Sequence, residues 1–124
     1  MKRPGVLGWY ASYRNEMVIC QERASANGQQ VAWTAEDYDT LRHEAQHLIQ
    51  DCVDKKQNGQ LHPVYKDPIG LAKATLSSNT LAWIVGDGYG NLPPAVQVLE
   101  LEAFAVAELN DPMEQVRDIR NYCY

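Results

Sequence analysis

The pentapeptide His43-Glu44-Ala45-Gln46-His47 sets two imidazoles four residues apart, with a carboxylate next to the first. On a helix, residues i and i+4 project from one face, one turn above the other. Two imidazoles in that register could hold one zinc ion at a Zn–N distance of about 2.0–2.1 Å. Glu44 is rotated about 100° from His43, so its carboxylate can face a metal-bound water without binding the metal. Zinc lowers the pKa of such a water toward neutrality, and a neighbouring glutamate can act as its general base. Five residues therefore supply two metal ligands and a base. The same letters would also fit a solvated helix that merely carries two histidines, so the surrounding sequence must supply a helix and a third ligand.

The helix is well marked. Thr34 can cap it, with Asp37 at the third helical position. Glu36 and Asp37 put negative charge at the positive end of the helix dipole. Lys55, Lys56 and Asn58-Gly59 mark the other end, giving a helix from about Thr34 to about Gln57. Leu41, Ala45, Leu48, Ile49 and Cys52 form an apolar stripe. His43, His47 and Asp51 form a second stripe on roughly the opposite side, with Glu44 beside it.

The segment Pro93 to Leu109 opens on two prolines and closes at Asn110-Asp111-Pro112, as a buried helix would. Val98, Leu99, Val106 and Leu109 share one side of it, with Glu102 in their midst. A carboxylate among aliphatics is costly unless something offsets its desolvation. Zinc would do so, which makes Glu102 the expected third ligand. Burial against arginine, or neutralisation, is the competing account. Glu100 is the rival ligand but points to the other side of the wheel. Asp51 is expected to support a histidine or cap a neighbouring donor rather than bind metal.

With these residues in hand, the chain resembles the zincin metallopeptidases, in the gluzincin arrangement of H-E-x-x-H on one helix and a glutamate ligand on a following one. Glu102-Ala103 echoes the Glu-Ala of the second zinc helix. The stretch Leu101–Leu109 is similar to the corresponding helix of small zincin-like peptidases that cleave phage repressors and stress regulators. Its phenylalanine falls earlier, and Val106 stands where an acidic residue often follows the ligand. The resemblance spans about Thr34 to Leu109. It implies zinc, peptide hydrolysis with Glu44 as base, and a peptide or protein substrate lying along an edge strand.

At 124 residues the chain is expected to form one zincin-like domain, 1–124. Its expected fold class is α+β, mostly helical. An N-terminal β-hairpin region (1–33) packs on a helical core comprising the H-E-x-x-H helix (34–57), the glutamate-ligand helix (93–109) and a C-terminal helix (111–124). The hairpin is read from Leu7–Tyr13, a turn at Arg14-Asn15-Glu16, and a second strand from Met17 to about Glu22. Leu71 to about Val85 reads as one or two helices broken near Ser77. Gly86–Asn91 reads as a connection, since no lysine or arginine completes a phosphate loop. Tyr89 or His62 could donate a hydrogen bond to a developing oxyanion. In the last helix, Met113, Val116, Ile119 and Tyr122 recur at helical spacing.

A net charge of −5 argues against nucleic acid or an anionic membrane as the main partner. No stretch suits a signal peptide or a membrane span. Three cysteines suggest a reducing, cytoplasmic setting, with Cys52 as a small buried hydrophobe and Cys123 as a free thiol. The leading expectation is a zinc metallopeptidase. The alternatives are a binding or regulatory module with structural or no zinc, and zinc hydrolysis of a non-peptide amide.

Overall fold

The computed structural model describes residues 8–11, 16–19, 33–55, 59–109 and 112–124. The fold is α+β and mostly helical. Strands β1 (Gly8–Ala11) and β2 (Glu16–Ile19) pair antiparallel, with Gly8 opposite Ile19 and Trp9 opposite Val18. Glu16, expected in the turn, belongs to β2. The rest of that turn, Cys20 and the segment between β2 and Trp33 lie outside the described residues.

Helix α1 (Ala35–Cys52) starts as its sequence dictates. The Thr34 hydroxyl accepts from the Asp37 N–H, and the Asp37 carboxylate accepts from the Thr34 N–H at 2.9 Å. The helix ends about five residues before the expected stop. Lys55 takes a φ of 67°, its N–H closes on the Cys52 carbonyl, and its ammonium reaches the Asn121 carbonyl at 2.6 Å. A tertiary contact with the C-terminal segment thus overrides local helix propensity.

Asp67 caps α2 (Pro68–Thr75), and Ser77 caps α3 (Ser78–Trp83), so the break falls where Ser77 suggested. A π-helical turn, Ile84–Gly88, continues α3 where a plain loop was expected. Helix α4 (Pro94–Glu108) packs against both α1 and α2. Ala72, Leu76, Ile84, Leu101 and Ala105 form the apolar core between α2, α4 and the π-turn. The guanidinium of Arg42, on α1, donates to the Val106 and Ala107 carbonyls at the end of α4.

Helix α5 (Pro112–Asp118) runs into a second π-helical turn, Ile119–Cys123. Its phase corrects the sequence reading. Met113 is 60% exposed and Val116 is 42% exposed, whereas Gln115 is buried and donates to the Arg42 carbonyl at 2.8 Å. A hydrogen bond to α1, not the apolar stripe, orients this helix.

The cysteines also differ from expectation. Cys52 and Cys123 form a disulfide with Cα atoms 5.1 Å apart, tying the chain's end to the end of α1. Neither is an isolated thiol, which removes the ground on which a reducing compartment was expected. No helix among the described residues is long and apolar enough to cross a membrane.

Candidate metal centre

Helix α1 is buried nearly all round from His43 to His47 because α4 covers one flank and β1 another. One ligand atom each from His43, Glu44 and His47 lies within 4.8 Å of the others. Glu100 joins them from α4. Its two oxygens lie 3.0 Å from His43 Nε2 and 3.1 Å from His47 Nε2. Ligand atoms around a tetrahedral zinc stand about 3.3 Å apart. Each Glu100 oxygen thus stands near that spacing from one imidazole nitrogen.

Glu102, the carboxylate expected in this place, lies elsewhere, and Glu100 stands against the histidines instead. Glu102 is wholly buried, as its apolar neighbours suggested, but hydrogen bonds offset its burial. It accepts from Gln46 Nε2 (3.0 Å), Gln50 Nε2 (3.1 Å), the Val64 N–H (3.0 Å) and the Tyr65 N–H (3.1 Å). Periodicity could report that Glu102 is buried. It could not report the donors, because two of them arrive on the 60–67 connection and two are glutamines of α1, brought to Glu102 only by the way α4 packs on that helix.

Glu102 nonetheless acts on the site through Gln50. The Gln50 NH2 donates to Glu102 and to the Leu99 carbonyl, so its oxygen must face His47 Nδ1, 2.8 Å away. Nδ1 then carries hydrogen, and Nε2 is the nitrogen available to a metal. Gln46 and Gln50 are the residues that sequence reasoning missed. Their signal was present as two fully buried glutamines interleaved with the histidines on a single helix.

Charge within the cluster is strongly coupled. Burial raises the Glu100 pKa, but hydrogen bonds and charge from His43 and His47 outweigh it and hold the group at about 2. Burial lowers the His47 pKa, but pairing with Glu100 and the bond to Gln50 reverse the sign, leaving it raised. Glu44 is raised, chiefly by burial, with partial offset from the two histidines. Its Oε1 lies 4.0 Å from His43 Nε2, and its buried Oε2 has no hydrogen-bond partner among the described residues.

Tyr89 belongs to the site. It lines both clefts that meet at His43 and Glu44, of about 550 and 410 Å³, and its ring packs 5.9 Å from Phe104. Burial, then the charges of Glu100 and Glu44, push its hydroxyl up to about 12, so it remains a donor at neutral pH. His62 is not brought in. Its half-exposed ring faces Asp54 at 3.5 Å, and it lines neither cleft. Asp51 accepts from the Tyr10 hydroxyl and the Gly59 N–H, both at 2.7 Å, anchoring β1 and the turn after α1 rather than a histidine.

Gly8, Trp9 and Tyr10 of β1 line the smaller cleft together with His47 and Glu100. A Cβ on Gly8 would meet the Val18 carbonyl at 2.6 Å and Thr40 at 2.8 Å, so the glycine lets β1 lie close against α1. Comparison with protein-family models, curated proteins and solved structures gives no match.

Proposed function

We propose that this chain is a zinc-dependent peptidase whose metal is held by His43, His47 and Glu100. The observation that carries the reading is the Glu100 carboxylate bridging two Nε2 atoms beside a buried Glu44 oxygen that no described residue satisfies. A buried carboxylate oxygen without a partner costs free energy, and active sites are where such costs are retained. Zinc bound here would supply a nucleophilic water near neutral pH and polarise a peptide carbonyl.

The remaining chemistry belongs to the chain. Glu44 Oε2 accepts the proton released as the carbonyl is attacked and returns it to the departing amine. Its raised pKa suits both transfers. The Tyr89 hydroxyl donates to the oxygen that gains negative charge. Gln50 and Glu102 keep His47 in one tautomer. β2 occupies one edge of β1, and Gly8, Trp9 and Tyr10 of β1 line the smaller cleft, which supports docking of an extended peptide beside this strand.

The test pairs metal analysis with turnover. Protein purified without chelator should carry about one zinc per chain, and the His43→Ala, His47→Ala double variant should carry none. Glu44→Gln should keep the zinc and lose hydrolysis of a mixed peptide library, because an amide cannot accept the proton. Zinc-loaded wild type that matches Glu44→Gln across the library and across pH would overturn the peptidase reading.

A further inference from the structure

The larger cleft, about 550 Å³, leads away from His43 and Glu44 along the N-terminal half of α1. Its walls are of two kinds. Trp83 and Tyr89 form an aromatic side, their rings edge-on to each other at 5.8 Å, with Trp83 half exposed. Glu36, Asp39 and Glu108 supply carboxylates at its rim, and no lysine or arginine is among the described residues that line it. Glu36, Asp39 and His43 follow one another at three- and four-residue steps, so they form one ridge. Asp39 stands about 6 Å and Glu36 about 10 Å from His43 along the helix axis. The capping box at the helix start is already complete with Thr34 and Asp37, so it uses neither carboxylate of the ridge.

Acidic side chains at a rim are ordinary by themselves. Here Glu44 also lines the cleft; its side chain is more than nine-tenths buried, and its Oε2 has no hydrogen-bond partner among the described residues. A carboxylate held in that state marks the inner end of the cleft as a place where a ligand arrives. An aromatic wall with an acidic rim and no cation of its own matches a long cationic side chain. The methylene stem packs on the rings, and the head reaches the carboxylates.

We propose that this cleft receives a lysine or arginine side chain flanking the scissile bond, making the protein a peptidase selective for basic residues. The inference rests on the peptidase reading of the adjoining centre, but its charge preference can be measured as binding, without turnover.

The experiment uses labelled peptides with acetylated and amidated ends, identical except for Lys, Arg, Gln or Glu at one central position. Anisotropy titration of the Glu44→Gln protein, as purified, gives their affinities. Lys and Arg peptides should bind about fivefold or more tightly than Gln, the scale of one or two half-exposed ion pairs, with Glu weakest. The preference should shrink as salt is raised. It should also shrink in a protein that additionally carries Glu36→Gln, Asp39→Asn and Glu108→Gln, with folding verified by circular dichroism. Equal affinity for Lys and Gln peptides, or a preference for Lys that ignores salt, overturns the proposal even if the variant fails to fold. Hydrolysis of the same peptides by zinc-loaded wild type is read separately. Cleavage without charge preference sinks this proposal and leaves the peptidase reading standing, whereas charge-selective binding without cleavage sinks the peptidase reading and leaves of this proposal only the cleft's preference for a cationic side chain.

Discussion

Replacing Glu102 and Glu100 in turn by glutamine should separate two carboxylates that lie two residues apart on one helix. Glu102 accepts five contacts from four donors. Glutamine keeps one acceptor oxygen. With that oxygen at the Oε1 position it retains Gln46, Gln50 and Val64, but sets an NH2 against the Tyr65 N–H. Turned the other way, it opposes the NH2 groups of Gln46 and Gln50 with its own. Neither of those glutamines can flip freely, since their oxygens are engaged by Gln115 and His47. The better orientation still orphans one buried N–H, costing about 1–3 kcal/mol, and turns three charge-assisted bonds into neutral ones at about 1 kcal/mol each. Relief from burying a charge returns part of this. The net loss is about 3 kcal/mol, or about 10 °C in Tm for a domain of this size. Urea unfolding of chelator-treated protein, followed by far-UV circular dichroism, measures it. Zinc affinity in Glu102→Gln should fall only about tenfold, through the loosened Gln50–His47 contact. In Glu100→Gln a proposed ligand is lost, and zinc affinity should fall by at least about 100-fold in competition with a chelating dye. Glu102→Gln that loses zinc without losing stability, beside Glu100→Gln that binds zinc like wild type, would refute this division of roles.

Three further outcomes follow from the same geometry. Metal-free protein should be most stable on the acid side of neutrality. The lowered Glu100 pKa contributes stability that disappears as pH falls from 4.5 toward 2. The raised His47 pKa contributes stability that is full below 6.5 and is lost as pH climbs through the folded value, with Glu44 losing stability in the same direction above 4.5; denaturant titrations across pH will show whether the optimum lies there. Gly8→Ala should cost about 2 kcal/mol, since the new methyl meets a backbone carbonyl, and a melting curve like wild type would show that β1 does not lie against α1. Cys123→Ser should destabilise the oxidised protein by about 4 kcal/mol, the chain-entropy value for a crosslink spanning 71 residues, and thiol titration of unreduced wild type should find Cys52 and Cys123 unreactive.

Much of the scaffold was legible in the sequence because local chemistry set it. Thr34 and Asp37 announced the start of α1, Ser77 the break between α2 and α3, and the double proline the start of α4. Two imidazoles on one helix face needed only the helical repeat. What stayed hidden depended on partners distant in sequence. Glu100 and Glu102 both sit on a buried helix, and the wheel ranks them by aliphatic neighbours alone. Which carboxylate meets histidines and which meets amides is decided by how α4 crosses α1 and by where the 60–67 connection presents the Val64 and Tyr65 N–H groups. The π-turn after α3 and the inward side of α5 were hidden for the same reason. Gln115 outweighs Met113 and Val116 because its hydrogen bond ends on α1.

The knot of donors around Glu102 bears on how the proposed metal would be taken up. Structural zinc sites commonly fold only as the ion binds, because nothing else holds their ligands together. In this protein the second carboxylate already fastens α1, α4 and the 60–67 connection through its own hydrogen bonds. Zinc uptake should accordingly be a simple bimolecular association with no folding phase, reversible by chelation. Amide hydrogen exchange gives the signature. Val64 and Tyr65 lie outside any helix or strand, yet their N–H groups should exchange as slowly as those in the middle of α1, with or without the ion.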